Sequence, residues 1–239
     1  TEFSPLPGGA GTRVTITGDN FGPTSGGGLG NVARVAFNGQ AANFQVVAIN
    51  QLIAAVPNGA SSGPITLSNE AGDFTTLLSF HVPALLAGFN PPKAAPGEAV
   101  ELRGQNPGCV HRVDIGLASA AFTVASPTNV LVYVPTNAVD GRVQVTTPAG
   151  LATTTSNLLV LPRILQFTPA LGPVGTAVVL EGGGFHGATE VLFGNNTKAT
   201  FTLRSSTRLE TTVPNGAVTG PIKVTTPNGS FTNATDFFL

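Results

Sequence analysis

Three stretches of this chain repeat one pattern, and that repetition confines the fold to an array of like modules. Each copy opens on Phe-x-Pro, at Phe3-Ser4-Pro5, Phe89-Asn90-Pro91 and Phe167-Thr168-Pro169. An alternating segment bounded by glycines follows, at Gly11–Gly18, Gly97–Gly104 and Gly175–Gly182. Next come Phe37-Asn38-Gly39, Ile115-Gly116 and Phe193-Gly194, then a stretch closing on Val-Pro at Val56-Pro57, Val134-Pro135 and Val213-Pro214. Beyond Val-Pro, Ile65 and Leu67, Val143 and Val145, and Ile222 and Val224 alternate with Thr66, Gln144 and Lys223. Period-2 alternation predicts strands with the aliphatic residues facing a core. Turns follow, clearest at Thr226-Pro227-Asn228-Gly229, where each residue type suits its turn position. Phe3 and Phe89 are 86 positions apart, Phe89 and Phe167 78, and the difference falls in a glycine-rich insertion at 22–31.

Short strands with turn signals every 8–12 residues define a small sandwich. The expected fold class is therefore all-β: three tandem immunoglobulin-like β-sandwich domains in a semi-rigid rod. Their boundaries are read at 1–82, 83–161 and 162–239, with Val82-Pro83-Ala84 and Leu161-Pro162-Arg163 as stiff joints. Charged residues are only 10% of the chain, 41% is hydrophobic, and the net charge is −1. That balance argues against disorder. Nucleic acid is not an expected partner, because phosphate binding needs clustered cations and the eleven Lys and Arg are scattered. No apolar run is long enough for a membrane span. The chain has no Met and no leader-like segment, so it reads as a mature product or a fragment of something longer.

On these motifs the chain resembles the IPT/TIG family, the immunoglobulin-like domains shared by plexins and some transcription factors. The resemblance rests on Phe-x-Pro, on the run from Thr12 to Phe21 with the Phe-Asn-Gly after it, and on the stretch from Val213 to Gly229. The middle copy departs from it: Pro107 stands where the others have Phe21 and Phe185, and Ile115 replaces a Phe, so the Pro107–His111 loop is expected to differ in shape. Disulfide-free, charge-poor tandem copies resemble the bacterial surface-protein type. That resemblance implies stalks, adhesive arrays or modules beside glycan-degrading enzymes at the cell surface.

Candidate sites are sparse. No catalytic residue, metal ligand or cofactor is expected: His81, His111 and His186 fall in different copies, and Cys109 with His111 lacks an orienting third group. Asp19-Asn20 offers one carboxylate, too few for calcium, and reads as a turn. Cys109, the single cysteine, reads as a small buried or half-buried residue, with an intermolecular thiol as the alternative. Gly26, Gly27 and Gly28 in the 22–31 insertion form a candidate interaction loop, with no helix start or Lys to make a phosphate cradle. Tyr133 alternates against Val132 and Val134, which makes it a candidate exposed aromatic for glycan, against packing in the core or at an edge. The sequons at Asn195, Asn228 and Asn233 carry no weight in a bacterial protein.

Two functions compete. The first is a non-catalytic extracellular structural or adhesive array, a stalk or fibre subunit that self-associates or meets other surface proteins. Its candidate assembly edge is Thr1, Glu2 and Phe3, where the first strand is shorter than its counterparts. The second is a glycan-binding accessory region of a larger secreted enzyme.

Overall fold

The computed structural model describes residues 1–22 and 31–239. Two-residue alternation becomes strands almost throughout, and among the described residues the one helical element is a 3-10 turn at Pro107–Cys109. In the first sandwich one sheet runs Glu2–Ser4, Arg13–Thr17, Gln51–Ala55, Phe44–Ala48. The facing sheet runs Gln40–Ala42, Arg34–Phe37, Gly63–Asn69, Gly72–Phe80. The third sandwich repeats both orders, with Arg163–Thr168, Ala177–Gly183, Arg208–Thr212, Phe201–Ser205 against Thr197–Ala199, Glu190–Phe193, Ile222–Thr226, Gly229–Thr232. All these pairings are antiparallel.

The middle sandwich has the same strands with two differences, the smaller being a short strand at Lys93–Ala94 that pairs in parallel with the end of Gly150–Val160. Ala118–Ser126 runs unbroken, pairing through Ala118–Ala120 with Arg112–Ile115 and through Ala121–Ser126 with Asn129–Tyr133. One strand thus belongs to both sheets. In the other copies it is interrupted, at Asn43 and at Thr200.

Three hydrophobic clusters fill the interiors, one built from Val14 to Val82, one from Ala94 to Val160 and one from Ile164 to Phe237. The aliphatic residues read as core-facing are buried: Ile65, Leu67, Val143, Val145, Ile222 and Val224. Phe37 meets Phe80 edge-on at 5.0 Å and Phe193 meets Phe237 likewise at 5.4 Å, a geometry that aromatic quadrupoles favour. In the middle copy Ile115 and Leu158 take these places, both fully buried, so the substitution is matched on both sides of the core. Pro107 is buried as Phe21 and Phe185 are. The loop after it keeps one bond, Val110 N–H to Pro107 O as Ala188 N–H to Phe185 O, but winds into a 3-10 turn that the third copy lacks.

Two side-chain devices recur at fixed spacing. In the first two copies the pairing of the last two strands shifts register, in the third the last strand stops at Thr232, and in each a buried polar side chain takes the backbone N–H left over. Ile65 N–H donates to Thr76 Oγ1 at 2.9 Å, Val143 N–H to Thr154 Oγ1 at 3.0 Å, and Ile222 N–H to Asn233 Oδ1 at 2.6 Å. The same side chains donate onward, to Leu78 O, Ser156 O and Thr235 O. Twenty residues separate the partners of the second device: Val82 N–H donates to Ser62 Oγ, Val160 N–H to Asp140 Oδ1, and Leu239 N–H to Thr219 Oγ1. Each pins the closing segment of its sandwich to the turn after Val-Pro. The Phe-x-Pro peptides Ser4-Pro5, Asn90-Pro91 and Thr168-Pro169 are all cis.

Candidate functional site

The seam between the second and third sandwiches is the most developed polar constellation. The hairpin joining Ile222–Thr226 to Gly229–Thr232 places Asn228 at its tip. Asn228 Nδ2 donates to both Asp140 oxygens, at 2.7 and 2.9 Å, and lies 3.0 Å from Val160 O. Asp140 therefore holds its own sandwich's closing strand and the neighbour's hairpin together. Lys93 Nζ donates to Asn228 O at 3.0 Å, and Arg163 to Pro96 O at 2.9 Å. Gly182, Gly183 and Gly184 are all buried, and the last two face the second sandwich across this seam. A Cβ on Gly183 would meet Pro96 Cγ at 2.7 Å and crowd Thr136 O, and one on Gly184 would overlap Leu161 O. These glycines admit close backbone approach, the role glycine alone can fill.

The junction between the first and second sandwiches is more open. Asn106 Nδ2 donates to Ala60 O at 2.9 Å. Around this contact lies a cleft of about 300 Å³ lined by Asn38, Ser61, Asn106, Cys109, Ser126 and Pro127 among others. Asn38 sits in the Asn38-Gly39 hairpin turn at φ 45°, a left-handed conformation that asparagine tolerates, and donates to Ser61 Oγ and Ser62 O. Cys109 opens onto this cleft and is exposed. The expectation that it would be buried or half-buried is wrong: Pro107 occupies the interior position, and the 3-10 turn carries Cys109 outward.

Tyr133 is 39% exposed while Val132 and Val134 are buried. Its cross-strand neighbours are Ala99 and Ala121, both exposed, so the ring has small residues on either side. Farther along that face, Asn129 Nδ2 donates to Glu101 Oε1 at 2.8 Å, and Glu101 pairs with Arg103. On the third sandwich Arg204 and Arg208 flank Glu210 at 2.7 and 3.4 Å. The hydrogen bond from Arg204 leads in holding the Glu210 carboxyl below the usual carboxylate range, with Arg208 adding to it.

The remaining candidates stand apart. Gly26, Gly27 and Gly28 lie outside the described residues. Thr1, Glu2 and Phe3 lie at a sheet edge, where Glu2–Ser4 pairs with Arg13–Thr17 over three residues, against six in Leu85–Asn90 and in Arg163–Thr168. Asp19 is exposed, with Asn20 at φ 62°. His111 and His186 are exposed and His81 is half-buried, each in a different sandwich. Among the described residues no three His, Cys, Asp or Glu side chains gather as a metal site would require, and no helix is long and apolar enough to cross a membrane. Sequence reasoning missed Asn228, Asp140 and Gly182–Gly184. The one available signal was the run of three consecutive glycines where the other copies have Gly18-Asp19-Asn20 and Gly104-Gln105-Asn106.

Paired antiparallel sheets around separate cores define an immunoglobulin-like sandwich protein. The IPT/TIG domain pattern matches residues 1–82 and 162–238, and the chain belongs to that family. The match does not extend over 83–161. No curated protein matches by sequence. Among solved structures, a protein crystallised with xylogluco-oligosaccharide is 18% identical over 100% of this chain and 59% of its own, at a TM-score of 0.45. SGBP-B from a xyloglucan utilization locus in Bacteroides uniformis is 18% identical over 65% of this chain and 49% of its own, at 0.33. The plexin A4 extracellular region is 12% identical over 98% of this chain and 33% of its own, at 0.31. This chain therefore spans less than two thirds of the length of each.

Proposed function

We propose that this chain is a non-catalytic spacer segment of an extracellular or cell-surface protein, a stalk built from three IPT/TIG-like sandwiches at 1–82, 83–161 and 162–239. The observation that carries this reading is the seam at Asn228, Asp140 and Val160, which joins two separately cored sandwiches by side-chain bonds. A spacer needs that property and needs no reaction chemistry. Sparse charge fits the same role, since it leaves few sites for basic-specific proteases. Assembly into a fibre would use the edge strand Glu2–Ser4, whose open side can accept a strand from another chain. Small-angle X-ray scattering tests the stalk reading. An extended, narrowly distributed particle supports it, and a profile requiring a broad ensemble of second-to-third domain angles would end it. Native material seen only as single dispersed rods by electron microscopy would remove the fibre.

A second reading, glycan binding, is favoured by Tyr133, whose exposed ring between Ala99 and Ala121 offers a stacking surface to a sugar. Binding to an oligosaccharide that disappears in Tyr133→Ala supports it. No binding across a broad glycan panel excludes it.

A further inference from the structure

The tip of the clamping hairpin is Asn228 followed by Gly229. A glycine on the C-terminal side leaves its backbone nitrogen unobstructed for attack on the asparagine side chain. Asn228 is only half-buried, so water reaches the segment. Its amide is also the group that holds the seam, donating to both oxygens of Asp140. We propose that Asn228 is a spontaneous deamidation site and that its conversion unlocks the second sandwich from the third.

The chemistry balances with water alone. The Gly229 nitrogen loses its proton and bonds to Asn228 Cγ, and Nδ2 leaves as ammonia, giving a cyclic imide. Water then opens either imide carbonyl, leaving an aspartyl or isoaspartyl residue at 228. A neutral donor becomes a carboxylate facing the Asp140 carboxylate. Both hydrogen bonds to Asp140 are lost and repulsion replaces them. Two such charges about 4 Å apart shift the equilibrium toward the open joint by about fivefold in bulk water, and by several hundredfold where the protein screens less well. The isoaspartyl product also inserts an extra backbone atom at the hairpin tip. While the clamp is closed it restrains the Asn228 side chain, so conversion runs through moments of opening. The seam thus works as a slow, one-way release.

The other Asn-Gly pairs supply internal controls. Asn38-Gly39 and Asn58-Gly59 lie in the first sandwich and Asn215-Gly216 in the third, and none of these asparagines makes a bond across this seam. Their conversion leaves it intact.

The experiment ages the whole chain in mildly alkaline buffer, separates the acidic species and maps them by peptide mass spectrometry. Nitrogen-15 relaxation of each fraction then reports whether the second and third sandwiches tumble as one body. Conversion at Asn228, slower than in a short Pro-Asn-Gly-Ser peptide and accompanied by independent tumbling, is expected. Persistence of Asn228 after that peptide has fully converted would overturn the proposal. So would converted chains that still tumble as one. Asn228→Asp supplies the product's charge directly and should release the joint at low salt, with partial recovery at high salt. Asn228→Asp combined with Asp140→Asn restores a donor–acceptor pair in the reversed sense and should relock it. A double variant no more locked than Asn228→Asp alone would refute the charge argument, because both lose the donor to Val160 O and differ only in the charge at 140. The proposal rests on the locked seam that the stalk reading also uses: unmodified chains already tumbling apart would sink both, whereas locked Asn228→Asp chains would sink only the release.

Discussion

Replacing Thr154 by valine keeps the side-chain shape and removes one oxygen, so it isolates what the bulge bond contributes. Thr154 is 1% exposed, and its Oγ1 accepts from Val143 N–H at 3.0 Å and donates to Ser156 O at 2.9 Å. Ser156 is exposed, so its carbonyl recovers a water partner. Val143 is 1% exposed, and its N–H would face a methyl group. An unsatisfied buried donor costs about 1–3 kcal/mol, so about 2 kcal/mol is the expected loss. A sandwich of roughly 80 residues has about 4–12 kcal/mol of stability. The variant's middle sandwich should therefore melt about 8–16 °C lower. The assay is specific, because Tyr133 is the only tyrosine and the chain has no tryptophan. Tyrosine emission through a urea titration reads the middle sandwich alone. Thr154→Ser should retain most of the stability. Thr76→Val, which makes the same change in the first sandwich, should leave the tyrosine transition in place. A Thr154→Val transition within about 0.5 kcal/mol of the parent, the range of an ordinary surface change, would refute the claim that this bond satisfies an otherwise dry N–H.

Other outcomes follow from the same geometry. Gly182→Ala would drive a Cβ into Arg163 O and to 2.9 Å from Phe185 Cζ. It should cost about 1–3 kcal/mol, as overpacking does, read by calorimetry of the third sandwich. Glu210 should titrate below the usual glutamate range, and Arg204→Ala should raise its pKa, because the largest cause of the depression is the Arg204 hydrogen bond. A depressed carboxyl pKa contributes stability above the unfolded value and loses it as pH falls through the folded value. The variant's smaller pH dependence should therefore appear only in the acid range below ordinary glutamate titration, measured by carboxyl-carbon NMR. Cys109 should react with a maleimide in the native chain nearly as fast as in the unfolded one, because it is exposed. A strongly protected thiol would show that the cleft beside Asn106 closes in solution.

Alternation made the cores legible. Wherever a strand is half-buried, side-chain facing follows from period 2, and this located Ile65, Val145 and Val224 inside, while Tyr133, left between exposure and packing in the core or at an edge, is exposed. What alternation could not show is contact between modules. Asn228 reads as a good turn residue, and Asn38 in another turn reads the same way, yet only Asn228 reaches a neighbouring sandwich. The bulge was hidden because Thr76 and Thr154 lie in threonine-rich segments where several residues could have filled the role. Cys109 was misjudged because a small apolar residue was assigned by type. The buried position had already been taken two residues earlier by Pro107.

The uninterrupted strand Ala118–Ser126 gives the middle module a property its neighbours lack. Its ladder passes from Ala120, paired with Val113, straight to Ala121, paired with Tyr133, so no unpaired residue separates the two faces. In the flanking modules the two faces are joined there by a residue outside the ladder, so they can shear apart while each stays paired. A pulled chain should therefore yield first at its ends, keeping the central element as the last to unravel.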